Sequence, residues 1–185
     1  MNLRVHTILH GSKANGPGIR SVIWLQGCTL NCPGCFNPQT HAAEGGELIS
    51  TDTLTRRLKA MPPETEGITI SGGEPFEQAE ALAEFLTRFR RQENGSVIVF
   101  SGFTKEKIET TPQYRACISL IDVLICGPYN QNAQTDHLHY LASANQELWF
   151  VSDRYNQADL TGLPTHEVFI LSDGSVTVSG LGAIQ

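Results

Sequence analysis

Short apolar runs alternate with amphipathic stretches along the chain. The run at residues 67–71 is β-branched and bounded by glycines, and the run at 20–26 reads as a buried strand that leads into a cysteine-rich loop. Residues 10–18, which precede the run at 20–26, are rich in glycine and proline, as loops are. The predicted strands other than these two lie at residues 3–9, 96–101, 120–125, 147–151, 167–171 and 176–179.

The amphipathic stretches predict helices. Ser50 or Thr51 can cap a helix over residues 51–60, which the two following prolines end. A second helix is predicted over residues 76–92, with an apolar face made by Ala79, Leu82, Ala83, Leu86 and Phe89. Strands that alternate with helices predict an α/β fold with a largely parallel sheet.

Several segments with unusual residues follow predicted strands. They lie at residues 28–35, 72–75, 102–104 and 126–129. The carboxyl ends of parallel strands share one edge of a sheet, and by analogy with full barrels we expect ligands to bind there. The strands at 167–171 and 176–179 are joined by residues 172–175 in the manner of a hairpin.

The composition is that of a globular protein. The chain has 185 residues, 40% of them apolar and 17% charged, so residues 1–185 are predicted to form a single domain with a real core. No apolar run is long enough to cross a membrane and the first residues lack a signal peptide's apolar segment, which predicts a cytoplasmic protein. A net charge of −6 with only 13 Lys and Arg residues argues against direct binding of nucleic acid.

Three of the five cysteines, Cys28, Cys32 and Cys35, lie within eight residues. In a cytosolic protein they are better explained as metal-cluster ligands than as disulfides. Their spacing lacks the second pair of cysteines or histidines that completes most structural zinc sites. Three thiolates on one tight loop suit a 4Fe-4S cluster whose fourth iron stays free for another ligand. A structural zinc or a merely redox-sensitive loop is the alternative interpretation.

The motifs on either side of the cysteines carry a resemblance to a known family. The CxxxCxxC pattern follows Asn-Gly-Pro-Gly-Ile-Arg at residues 15–20 and precedes Ser-Gly-Gly-Glu-Pro at residues 71–75. In that order the three stretches resemble the radical S-adenosylmethionine superfamily, and within it the activating enzymes of glycyl radical proteins, most closely those of anaerobic ribonucleotide reductase. The resemblance implies an α/β fold that is a partial, incomplete TIM-like barrel of mostly parallel strands. Its core would span about residues 15–126, followed by a small C-terminal β extension over about 127–185.

The same resemblance implies contacts with S-adenosylmethionine. The predicted contacts are Phe36, Asn37, Ser71, Gly72, Gly73, Glu74, Ser101 and Gly102. In the family the glycine-glycine-acid motif, here residues 72–74, receives the amine of the cofactor; Phe36 would pack near the adenine and Asn37 would order its loop. On the residues alone, 71–75 reads equally as a strand-to-helix turn, and 15–20 reads also as a turn that enters a strand.

The resemblance further implies an activity. A one-electron donor such as flavodoxin or ferredoxin would reduce the cluster, and S-adenosylmethionine would be cleaved to methionine and a 5'-deoxyadenosyl radical. The radical would remove a hydrogen from a glycine of a partner such as anaerobic ribonucleotide reductase. No catalytic residue is expected beyond the cofactors. Two alternatives stay open: a radical enzyme that acts on a small metabolite or a ribosomal peptide, and a non-enzymatic 4Fe-4S electron carrier or sensor.

Four other candidate ligands have simpler explanations. Cys117 and Cys126 are expected to be buried thiols. His137 and His139 would share one strand face if residues 136–140 are extended, and such a pair can bind metal. Without a third ligand, a solvated pair is the expected arrangement.

Overall fold

A single open sheet forms the centre of the fold. The computed structural model describes residues 1–58, 60–135, 140–170 and 173–180. The strands of this sheet are β1 (Asn2–Ser12), β2 (Ile19–Leu25), β3 (Glu47–Ser50), β4 (Thr65–Gly72), β5 (Ser96–Ser101), β6 (Val123–Cys126) and β7 (Glu147–Phe150). Within the described ranges they form a seven-stranded sheet in the order β3-β1-β2-β4-β5-β6-β7.

The four central strands, β2, β4, β5 and β6, are parallel. The flanking strands β1, β3 and β7 pair antiparallel at the two sides. The predicted α/β class with a largely parallel sheet is therefore confirmed for the centre of the sheet. Over the described residues the sheet as a whole is mixed and open, and it does not close into a barrel. The edge strand β3 is missing from the predicted strands, because its first two residues are exposed and its pairing with the distant β1 defines it.

Four helices, α1 (Thr51–Leu58), α2 (Ala79–Gln92), α3 (Lys105–Thr110) and α4 (Pro112–Ile118), contribute to the larger apolar core on one face of the sheet. Leu82, Leu86 and Phe89 of α2 are fully buried there, as the amphipathic pattern predicts. The predicted helix over 76–92 begins instead with a 3-10 turn, Pro75–Gln78, because the proline and the side chain of Glu74 fix its first turn.

The opposite face of the sheet is covered by the chain that follows β6. Ile98, Val123 and Ile125 pack there against Tyr140 and Leu160. The central parallel strands are thus buried on both faces, which explains why their sequences are continuous apolar runs. Among the described helices, none combines the length and the apolar composition needed to cross a bilayer.

The predicted C-terminal hairpin is a separate two-stranded sheet of β8 (His166–Ile170) and β9 (Val176–Gly180). Residues 171–172 of the predicted strand and turn, and the histidine pair His137 and His139, lie outside the described residues. The division into a core and an extension within one domain stays a prediction. The strand β7, which falls in the predicted extension, is part of the main sheet beside β6.

Arg20 joins three of the central strands from inside the protein. Its side chain is fully buried. The guanidinium donates to Thr69 Oγ1 at 2.7 Å, to Ser96 Oγ at 2.9 Å and to the carbonyl oxygen of Ile68 at 2.6 Å. Because a buried cation is costly unless it is fully hydrogen-bonded, these contacts fix the position of β2 against β4 and β5.

We expect Arg20→Lys to lower the free energy of unfolding by about 3 kcal/mol, because an ammonium cannot reproduce the planar fork and leaves buried acceptors unpaired. Urea unfolding followed by circular dichroism measures the loss. Arg56→Lys is the matched control, since the side chain of Arg56 is 65% exposed and its replacement should change stability by less than about 0.5 kcal/mol. Equal losses in the two variants would contradict the role given to Arg20.

Candidate functional site

The three clustered cysteines lie on a loop that is closed at its base by backbone hydrogen bonds. The amide of Gly27 donates to the carbonyl of Thr40 at 2.8 Å, and the amide of Cys28 donates to the carbonyl of His41 at 3.1 Å. Within the loop, the amide of Cys35 donates to the carbonyl of Cys32 at 3.1 Å, which forms a tight turn. All three cysteines are partly exposed. The loop therefore presents three partly exposed cysteines from a fixed backbone at the carboxyl end of β2.

The glycine-rich turn after β4 lies directly against the start of this loop. The amide of Gly73 donates to the carbonyl of Leu25 at 2.8 Å, and the amide of Glu74 donates to the carbonyl of Gly27 at 2.9 Å. A Cβ atom on Gly73 would lie 2.1 Å from the carbonyl oxygen of Gly27, and Gly72 has a φ of +98°. Only glycine fits this backbone contact at both positions. The two glycines thus have a structural reason to be there, beside the cofactor contact predicted for them.

The carboxyl group of Glu74 points inward and ties the end of β4 to the end of β5. It accepts hydrogen bonds from the amide of Gly102 at 2.7 Å, the hydroxyl of Ser101 at 2.8 Å and the amide of Phe76 at 3.0 Å. Burial raises the pKa of Glu74 to about 7, although these three donors favour the charged form and lower it. The side chain therefore positions two neighbouring strand ends.

One cavity is lined by the three cysteines and by all eight predicted cofactor contacts. They come from the cysteine loop at residues 28–37, from the end of β4 at 71–74 and from the end of β5 at 101–102. The carboxyl ends of neighbouring parallel strands bring these segments together, as the sequence predicts. Their binding roles stay predictions.

Sequence reasoning did not select several other residues that line the cavity. The ring of Tyr129 packs against Phe36 with the ring centroids 4.8 Å apart, and Tyr140 lies on the same wall. Gln146 accepts from the amide of Ala142 and donates to the carbonyl of Gly127, so it joins two loops at the cavity. Tyr129 belongs to residues 126–129, which the sequence places at the ligand-binding edge, whereas Tyr140 and Gln146 reach the cavity through loops.

Asn15 also lines the cavity. The sequence allowed residues 15–20 to be only a turn that enters β2. In the structure the amide nitrogen of Asn15 donates to Ser12 Oγ at 2.7 Å and to Ser179 Oγ at 2.6 Å, which connects this turn to the C-terminal hairpin. The turn therefore also links the cavity to β9.

The donor set of the cysteine loop fits an iron–sulfur cluster. Across residues 1–58, 60–135, 140–170 and 173–180, no group of three or more His, Cys, Asp and Glu side chains is arranged to hold a single metal ion. The fit therefore rests on three partly exposed cysteines that line a cavity and are spaced in the sequence as cluster ligands are. Cys117 and Cys126 are buried as predicted, and burial raises the pKa of Cys117 to about 12 and of Cys126 to about 11. Neither lines the cavity.

Comparison with known proteins gives consistent matches. The sequence model of a family described as a 4Fe-4S single cluster domain matches residues 14–149. The chain is 31% identical over 138 residues to the anaerobic ribonucleoside-triphosphate reductase-activating protein of Haemophilus influenzae, covering 71% of this chain and 88% of that protein. The protein of the same name from Enterobacteria phage T4 is 29% identical over 143 residues, covering 75% and 88%. The pyruvate formate-lyase-activating enzyme of Clostridium pasteurianum is 35% identical over 104 residues, covering 54% of this chain and 44% of that enzyme.

We expect Gly73→Ala to lower the free energy of unfolding by about 2 kcal/mol and to reduce iron uptake, because its methyl group would push the glycine-rich turn away from the cysteine loop. Iron content after anaerobic reconstitution and urea unfolding measure the two effects. Gly11→Ala is the control: Gly11 has a φ of +85° and nothing within 4 Å of the added carbon, so only backbone strain of about 1 kcal/mol is expected. Normal iron uptake by Gly73→Ala would contradict this account of the turn.

Glu74 should make stability depend on pH. Its folded-state pKa of about 7 lies above the usual glutamate value of 4.5. Between these two pH values the folded chain still holds the proton, whereas the unfolded chain has lost it. Stability is therefore greatest below the unfolded pKa and is lost as pH rises through about 7. Relative to Glu74→Gln, the wild-type protein should lose about 2 kcal/mol between pH 5 and pH 8.

Urea unfolding of the cluster-free protein at both pH values tests this expectation. Glu80→Gln, at an exposed position of α2, is the control and should leave the pH dependence of wild type unchanged. Parallel pH profiles for wild type and Glu74→Gln would contradict it.

Proposed function

This chain belongs to the 4Fe-4S single cluster domain family, with the radical S-adenosylmethionine activating enzymes of glycyl radical proteins, and we propose that it activates a partner enzyme by forming a glycyl radical in it. One observation carries the proposal. The backbone of the glycine-rich turn is hydrogen-bonded to the end of β2 and to Gly27 at the start of the cysteine loop, and the loop and the turn line the same cavity. A cluster held by the loop would therefore lie beside a pocket for its cofactor.

The proposed binding roles follow from the positions of the residues around the cavity. Cys28, Cys32 and Cys35 would hold three irons of the cluster and leave the fourth for S-adenosylmethionine. The backbone of residues 72–74 would receive the methionyl amine. The remaining proposed contacts are Phe36, Asn37, Ser71, Ser101 and Gly102. When bound, cluster and cofactor supply a one-electron reductive cleavage of S-adenosylmethionine.

The protein's own residues position the reactants and keep water out. The carboxyl oxygens of Glu74 are engaged by three protein donors, so this residue holds the cavity wall in place. Trp24, Leu30 and Phe100 give the cavity an apolar lining, which limits the access of water. No acid–base pair is required of the protein for this chemistry, so no catalytic residue is proposed beyond the cofactors.

The proposed partner is a glycyl radical enzyme such as anaerobic ribonucleotide reductase. The relatives from Haemophilus influenzae and phage T4 are named as activating proteins of that reductase, which supports this choice. We also propose a one-electron donor such as flavodoxin or ferredoxin, and a location in the cytoplasm. The four parallel strands, whose carboxyl ends face the cavity, support the proposal that the open sheet is the incomplete barrel of the radical enzymes.

The two other functions compatible with the sequence are less well supported. An electron carrier or sensor needs no cofactor pocket beside its cluster, whereas here the cysteine loop borders a cavity. A radical enzyme for a small metabolite or a ribosomal peptide would share the cavity, but the relatives from Haemophilus influenzae, phage T4 and Clostridium pasteurianum are all named as activating proteins or enzymes.

We expect the anaerobically reconstituted protein to bind about four irons per chain and to form 5'-deoxyadenosine from S-adenosylmethionine and dithionite. Cys28→Ser should lose both properties, because the cluster then lacks a ligand. Cys117→Ala is the control, since Cys117 is buried away from the cavity and this variant should keep its iron. Tetrahedral zinc in the purified anoxic protein, or an intact cluster that forms no 5'-deoxyadenosine, would contradict the proposal.

A further inference from the structure

The C-terminal hairpin is fixed beside the cavity by polar contacts. The carboxyl group of Glu167 accepts a hydrogen bond from the amide of Lys13 at 2.9 Å and one from the hydroxyl of Ser12. The side chain of Ser179 accepts from Asn15, which itself lines the cavity. These bonds hold β8 and β9 against the loop that enters β2. The hairpin lies beyond residues 14–149, where the family's sequence model matches.

A groove runs between this hairpin and β1. It is lined by five consecutive residues of β1, 6–10, and by four consecutive residues of β9, 177–180. Successive residues of a strand point to opposite faces, so an uninterrupted run along the groove brings the main chain of each strand to it. The groove is therefore a slot between two strands.

Both edges offer main-chain groups to an incoming chain. On the side of β1 away from β2, the edge strand β3 pairs only with residues 2–5. Among the described strands, β9 pairs only with β8. Unpaired strand edges present alternating N–H and C=O groups, which a further extended segment can pair with.

The slot opens into the cofactor cavity. Trp24, Phe36, Asn37 and Gly180 line both spaces. A chain that lies in the slot would therefore have part of its length next to the proposed site of cofactor cleavage. Two strand edges recognise the regular repeat of a polypeptide backbone, about 3.3 Å per residue, and give a small metabolite no comparable set of partners.

We propose that this slot between β1 and β9 receives an extended segment of the partner enzyme, which adds as a β-strand and brings its glycine to the cavity. The inference rests on the proposed activating function and adds to it the place and the mode of substrate binding. The hairpin wall of the slot lies outside the part of the chain that the family's sequence model matches.

Hydrogen–deuterium exchange tests the mode of binding. The probe is the full-length anaerobic ribonucleoside-triphosphate reductase of the organism that encodes this chain, mixed with the reconstituted activating protein and S-adenosylmethionine. We expect exchange to slow at least threefold in residues 6–10 and 177–180 when the reductase is added. Protection elsewhere, or no binding of the reductase, overturns the proposal. Concentration-dependent protection of the same residues without the reductase assigns the slot to a second copy of this chain and overturns it too.

Two matched variants test the slot itself. Val178 lines the groove. Val168 pairs with Val178 from β8 and lies on the same face of the hairpin, but it does not line the groove. The two residues are similarly accessible, 43% and 56% exposed. We expect Val178→Arg to weaken reductase binding at least tenfold and to reduce the glycyl radical signal in electron paramagnetic resonance by a similar factor. Val168→Arg should change either by less than twofold.

The formation of 5'-deoxyadenosine without the reductase separates this inference from the proposed function. Both variants should form it at the wild-type rate, because neither residue lines the cofactor cavity. Wild-type reductase binding by Val178→Arg overturns the slot and leaves the cofactor chemistry intact. Absence of 5'-deoxyadenosine in the wild-type protein with an intact cluster overturns the proposed function instead.

Discussion

The site depends on a contact between two stretches of backbone. The glycine-rich turn after β4 is held by hydrogen bonds from Gly73 to Leu25 at the end of β2 and from Glu74 to Gly27 at the start of the cysteine loop. The approach is so close that a single added carbon on Gly73 would collide with a carbonyl oxygen. Because β2 and β4 are parallel neighbours, their carboxyl ends are already adjacent, and the glycines remove the side chains that would keep them apart.

Glu74 extends this contact to the next strand. Its backbone binds the cysteine loop, while its buried carboxyl group binds Ser101 and Gly102 at the end of β5. One residue thus joins the ends of three successive parallel strands. A carboxyl group buried at this place lowers the stability of the fold once it ionises. Its oxygens accept three hydrogen bonds that hold the cavity wall together.

The proposed cofactor site and the hairpin wall of the slot come from different parts of the chain. The cysteine loop and the ends of the four central parallel strands lie within residues 14–149, where the family's sequence model matches. The hairpin of β8 and β9 lies beyond that region and is attached through Glu167 and Ser179 to the loop before β2. Gly180 of this hairpin lines the cavity from outside the region that the family's sequence model matches.

The sequence by itself determined the features that depend on local spacing: the cysteine loop, the glycine-rich turn, the central apolar strands and the hairpin. It also placed the predicted contacts at one cavity, because the carboxyl ends of parallel strands share an edge. Only the tertiary structure decided that the sheet stays open, that β3 forms and that Glu74 turns inward. Tyr140 and Gln146 likewise reach the cavity only in the folded chain. These features depend on pairing between residues far apart in the chain, which local patterns do not encode.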